Sequence, residues 1–130
     1  MDAQIYDLHI RVLIYPEDGE FIARALEMDL LGYGATEEEA LRELRNAITC
    51  QITFARQKKD AGLLLFPAER EYYDRWEAAN ATALRKEVLQ DKSAKLTARA
   101  VVITFSKQEL QDPIKRSFRR ILNRSCAEAT

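Results

Sequence analysis

The chain is short of the residues that catalysis and covalent staples require. Of its 130 residues one is histidine, two are cysteine, four glycine and three proline. With His9 alone, no site needing two imidazoles is available, and no Ser-His-Asp, HExxH, Cys-His or phosphate-loop spacing occurs. His9 reads as a polar surface residue opposite a strand's core face. Cys50 and Cys126 stand apart without CxxC spacing, so neither a disulfide framework nor a zinc site is implied. Cys50 reads as a small buried helix residue. No stretch approaches the roughly 20 apolar residues of a membrane span, and MDAQIYDLHIRV lacks a basic region leading into an apolar run. A cytoplasmic chain without cofactor, metal or enzymatic activity is therefore expected.

What is present is charge and periodicity. With 47% hydrophobic and 32% charged residues the composition is that of a folded globular protein, and the length suits one core with an appendage. The net charge of -1 conceals an asymmetry. Residues 1–50 carry 11 acidic and 4 basic side chains, whereas residues 95–124 carry 8 basic and 2 acidic ones. Such separation means that the two ends meet different partners or each other.

Tyr6, Leu8, Ile10, Val12 and Ile14 alternate with Asp7, His9 and Arg11, which predicts a strand over Ile5 to Tyr15. Pro16-Glu17-Asp18-Gly19 has the chemistry of a hairpin loop, so Phe21 to Leu26 should return antiparallel. Leu30-Leu31-Gly32-Tyr33-Gly34 reads as a third strand with a bend. Thr36 and Glu39 form a capping box with the glutamate returning to the Thr36 N–H, and Glu37, Glu38 and Glu39 suit a helix dipole. Leu41, Leu44, Ile48, Ile52 and Ala55 give that helix one apolar face, with its end near Gly62. Leu63-Leu64-Leu65-Phe66 predicts a buried strand. A second helix follows over about Ala68 to Gln90, with Tyr73, Trp76, Leu84 and Val88 as a core stripe. Leu96 to Phe105 is a strand apolar on both faces and needing cover on both. Ser106 and Glu109 repeat the capping spacing, and Pro113 to about Asn123 predicts a final helix.

The EDG hairpin, the return strand FIARALEMDL and the following GYGATEEEALRELRNAI resemble the HicB-like antitoxin family. The pattern is carried by Gly34, Thr36, Glu39, Ala40 and Leu41, and the resemblance covers about residues 5–66. The resemblance implies a partial ribonuclease-H-like β-β-β-α-β unit; with the second helix and the C-terminal strand-helix extension read above from periodicity, the expected fold is α+β. The corresponding divisions are 1–67 for the HicB-like unit, 68–92 for the helix packing on or linking from it, and 93–130 for dimerisation or DNA contact. It further implies a noncatalytic antitoxin that binds and inhibits a basic RNA-cleaving toxin and regulates its own promoter through operator DNA. The alternative, of another class, is an orphan binding or scaffold protein with the same fold, homo-oligomeric, without toxin or DNA.

Candidate residues follow from charge. Glu27, Asp29, Glu37 and Glu38 are the candidate acidic surface for a basic toxin, with ordinary solubility and dipole matching as the other reading. Lys107, Lys115, Arg116, Arg119, Arg120 and Arg124 are candidates either for DNA phosphates or for docking on the acidic half of a second subunit. Asp7, Glu27 and Asp29 are the carboxylates a metal-dependent nuclease would have to bring together, and read better as solvated acids. The strand near residues 96–105 also predicts a homodimer at least, through pairing with its own symmetry mate.

Overall fold

The computed structural model describes residues 7–111. The strands are β1 (Leu8–Glu17), β2 (Glu20–Ala25), β3 (Leu31–Gly34) and β4 (Arg99–Phe105). The helices are α1 (Glu37–Lys58), α2 (Arg70–Glu87) and the short α3 (Lys107–Gln111), with a 3-10 turn over Ala61–Leu64. The strands form one antiparallel sheet in the order β3-β2-β1-β4, and the fold is α+β. The helix expected from Pro113 lies outside the described residues.

Strand alternation builds two different faces. Ile10, Val12 and Ile14 of β1, Ala23 and Ala25 of β2, and Ile103 and Phe105 of β4 form one core with Ala40, Leu44, Ile48 and Ile52 of α1. The alternate residues Leu13, Tyr15, Ile22 and Leu26 form a second core with Ala68, Ala79, Tyr72, Tyr73 and Trp76 on and beside α2. The molecule therefore has three layers, with the sheet between α1 and α2. The period-two pattern of β1 hides this second core, because His9 and Arg11 on the same face are polar.

The α1 face is built from small residues so that the helix can lie close. An added Cβ at Gly32 would overlap the α1 backbone at Ala40 and Leu44, and one at Gly34 would overlap Ala40 and Glu39. The glycines thus serve backbone approach rather than the bend that the sequence suggests. At the β1–β2 hairpin, Asp18 and Gly19 have φ of 51° and 80° and lie between the paired Glu17 and Glu20. Two successive positive φ values are the requirement of the tight turn whose twist matches paired strands.

The capping box at α1 forms with one difference. Thr36 accepts from the Glu39 N–H at 3.1 Å, but Glu39 reaches back to the Ala35 N–H at 3.0 Å rather than to Thr36. The Ser106–Glu109 box closes in both directions, at 3.1 and 3.2 Å. α1 ends on Lys59 in the left-handed region, three residues before Gly62.

Further corrections concern the segment after α1, the sheet neighbour of β1 and the far end of α2. Leu63 to Phe66 is not a buried strand: Asp60 accepts from the Gly62 N–H at 2.9 Å and closes a 3-10 turn, while Leu65 and Phe66 are 73% and 70% exposed. The sheet position beside β1 belongs instead to β4. A single crossover helix would return the chain parallel to β3, hence to β1; here two helices on opposite faces intervene and β4 enters antiparallel. The sheet therefore draws on segments before residue 67 and after residue 93. Finally, Tyr73 and Trp76 pack as expected, but Leu84 and Val88 are 53% and 68% exposed because α2 runs past the sheet.

Cys50 is half-buried rather than buried and is disulfide-bonded, contrary to the reading of an isolated thiol; the chain's other cysteine, Cys126, lies outside the described residues.

Gly32→Ala should destabilise the fold by about 1–3 kcal/mol through overpacking against the α1 backbone. Leu44→Ala, at a fully buried α1 position, should cost about 2–5 kcal/mol. Urea unfolding monitored by circular dichroism measures both.

Candidate functional site

Charged side chains on the α2 face are held by aromatic rings. The Arg11 guanidinium lies 4.9 Å from the Tyr73 ring centroid and 5.8 Å from that of Trp76. Arg24 lies 3.9 Å from Tyr72, and Arg75 4.5 Å from Tyr15. The Tyr15 and Tyr72 rings stack at 6.4 Å. A cation over a ring face is favourable and most so when partly desolvated, and these contacts clamp α2 to the sheet.

Two of the candidate acids belong to this clamp. Glu27 accepts from the Arg11 backbone N–H at 2.6 Å and from its guanidinium at 3.3 Å. Asp29 accepts from Arg24 at 2.7 Å. Burial alone would lower the pKa of Arg24, but its hydrogen bonds to Tyr15 and Asp29 outweigh that and the pKa is raised. Glu37 lies on the other side of the sheet, 3.3 Å from Arg99. Glu38 is exposed at the start of α1. The four candidates do not form one open acidic face.

Another acidic grouping, which charge counting alone does not locate, emerges from register. Phe21 of β2 is opposite Gly34 of β3, and Glu17 is opposite Glu20. The hairpin tip and the first turn of α1 are thus brought to the same end of the sheet. Glu17, Asp18, Glu20, Glu38 and Glu39 are exposed there. Among the described residues, Glu17, Asp18, Glu20 and Glu38 make no ion pair. The signal in the sequence is the string EDGE, where two glutamates flanking a two-residue turn must face each other.

Of the basic candidates, Lys107 opens α3; Lys115, Arg116, Arg119, Arg120 and Arg124 lie outside the described residues. α3 is tied to α1, since Arg56 donates to the Leu110 carbonyl at 2.7 Å. His9 is exposed and lies 3.0 Å from the Thr104 hydroxyl. Among the described residues no group of three His, Cys, Asp or Glu side chains is placed to hold a metal ion. No helix among them is long and apolar enough to cross a membrane. A shallow cleft of about 150 Å³ lies between α2 and the segment leading into β4, with Arg75, Thr82, Lys95 and Thr97 on its walls.

The clamp has a pH signature. Burial raises the pKa of both Tyr72 and Tyr73 above the ordinary value of 10.0. A phenol whose pKa is higher in the folded state contributes stability that is complete below the unfolded pKa and is lost as pH rises through the folded one. Unfolding midpoints should hold up to about pH 10 and then fall. Tyr73→Phe should flatten the alkaline decline, while costing about 1 kcal/mol at neutral pH for the lost hydrogen bond to the Leu26 carbonyl.

Comparison with protein-family models, curated proteins and solved structures finds no match to this chain.

Proposed function

We propose that the chain is a noncatalytic, HicB-like binding protein of antitoxin type, in which the acidic end of the sheet holds a small basic RNA-cleaving toxin. The β-β-β-α order of residues 8–58 supports this reading, as does the Thr36–Glu39 cap at the motif that carries the resemblance. On this reading β1, β2, β3 and α1 are the first four elements of a partial ribonuclease-H-like unit. The basic residues from Lys107 onward are assigned to operator DNA.

The observation that carries the proposal is the pairing of Glu17 with Glu20 beside the α1 terminus. Like charges directly opposite on two strands destabilise the isolated fold. Their presence is accounted for by a cationic partner, whose approach they steer and whose charge they balance. An orphan scaffold role is favoured by a different observation. Glu27, Asp29 and Glu37 are engaged by arginines of the same chain, which reduces the charge offered to a toxin.

Glu17→Lys separates the two readings. The free protein should gain a few tenths of a kcal/mol, since a like-charge pair becomes an opposite one. If the adjacent gene encodes a small basic protein, its capture should weaken, most at low salt. Unchanged capture by the variant, or a wild-type chain that purifies alone when that neighbour is co-expressed, refutes the antitoxin reading.

A further inference from the structure

Among the described residues the sheet ends on β4, and the direction of its outer backbone groups follows from two hydrogen bonds elsewhere. The Leu26 N–H donates to the Arg11 carbonyl at 2.9 Å, and the Ala25 N–H to the Leu30 carbonyl at 2.9 Å. In an antiparallel ladder, alternate residues point their N–H and C=O to opposite neighbours. Arg11, Leu13 and Tyr15 of β1 therefore face β2, and Leu8, Ile10, Val12 and Ile14 face β4. Their register partners Phe105, Ile103, Val101 and Arg99 turn inward to β1. Ala100, Val102 and Thr104 are left with their N–H and C=O directed away from the sheet.

These three residues are symmetric about Val102, which is also the centre of β4. The edge contains no proline, glycine or bulge. Its interior, Ala-Val-Val-Ile-Thr, holds no charge, whereas strand edges that must stay single are commonly guarded by charges, prolines or bulges. Val102 is 51% exposed and Thr104 is exposed on the face that α2 crosses. The opposite edge, β3, has only four residues, two of them glycine.

We propose that β4 is a self-pairing edge that takes the β4 of a second copy of this chain, antiparallel, about a two-fold axis at Val102. In that register Val102 faces Val102 of the second copy and exchanges both backbone hydrogen bonds with it. Ala100 and Thr104 do the same with each other's counterparts, so every outward N–H and C=O of the three residues is paired. On the α2 face the Val102 side chains meet and are covered. On the α1 face Val101 lies beside Ile103 of the second copy. The two four-stranded sheets become one of eight strands, and the acidic ends remain outside the contact.

Proline at position 102 gives a selective test, because the Val102 N–H takes no part in the β1–β4 ladder. Val102→Pro should leave the fold intact by circular dichroism and raise the dimer dissociation constant roughly tenfold or more. Wild-type protein should sediment at micromolar concentration near twice 15.0 kDa. Its Ala100, Val102 and Thr104 amides should resist hydrogen exchange and lose that protection in the variant. Should the proline variant fail to fold, Val102→Lys, which keeps the N–H and sets two charges against each other on the axis, carries the same expectation. A monomeric wild type, a dimer whose three amides exchange freely, or folded variants that dimerise undiminished would each overturn the proposal.

Discussion

The backbone of Leu26 is where the layers of this protein are joined. Its N–H continues the β1–β2 ladder to the Arg11 carbonyl, while its own carbonyl accepts from the Ala68 N–H and the Tyr73 hydroxyl, both at 2.8 Å. In a regular ladder that carbonyl would accept from Arg11. Because it is turned to the α2 side, the Arg11 N–H needs another acceptor, and Glu27 supplies one. A buried donor without a partner costs about 1–3 kcal/mol. The glutamate is therefore a consequence of where α2 docks, and α2 in turn fixes the direction in which β4 enters the sheet.

The two sheet faces answer to different physics. Under α1, glycines and alanines of β2 and β3 let helix and sheet backbones come together, and branched aliphatics fill the remainder. Under α2 the contact is made by large rings, and arginines from the sheet and from α2 lie on those rings. The core under α1 is uncharged, with Arg45 over the Phe105 ring and the Glu37–Arg99 pair at its margin. The aromatic face depends on neutral phenols and charged guanidinium groups, so alkaline conditions act on one side of the sheet first.

How much of this can be read from residue order depends on whether a feature is local. The Thr36–Glu39 and Ser106–Glu109 caps span three residues, and their spacing is enough to find them. The α1 stripe is equally plain, because Leu44, Ile48 and Ile52 recur at the helical period. Leu63 to Phe66 misleads because four successive apolar residues have no period, and a local turn centred on Asp60 competes with pairing. β4 reads correctly as a strand, but its neighbour in the sheet is settled by a connection that crosses both faces. The roles of Glu27 and Asp29 were illegible for the same reason: each is determined by an arginine that pairing and turns bring to it, not by its own neighbours.

Acidity at one end and an unguarded strand at one edge are therefore independent properties of the same sheet. Register at the hairpin sets Glu17 against Glu20, and that arrangement involves β1, β2 and β3 alone. Hydrogen-bond alternation, transmitted from Leu26 across β1, decides which groups of β4 face outward, and that arrangement would persist if every acid at the hairpin were neutral. A change in ionic strength should act on the first and leave the second, since backbone pairing between uncharged strands carries little salt dependence. Association through β4 would also double the number of acidic ends in one particle without new residues at either. A cationic partner with two binding faces would then be held more tightly by the assembly than by one chain, by an amount set by the spacing of the ends.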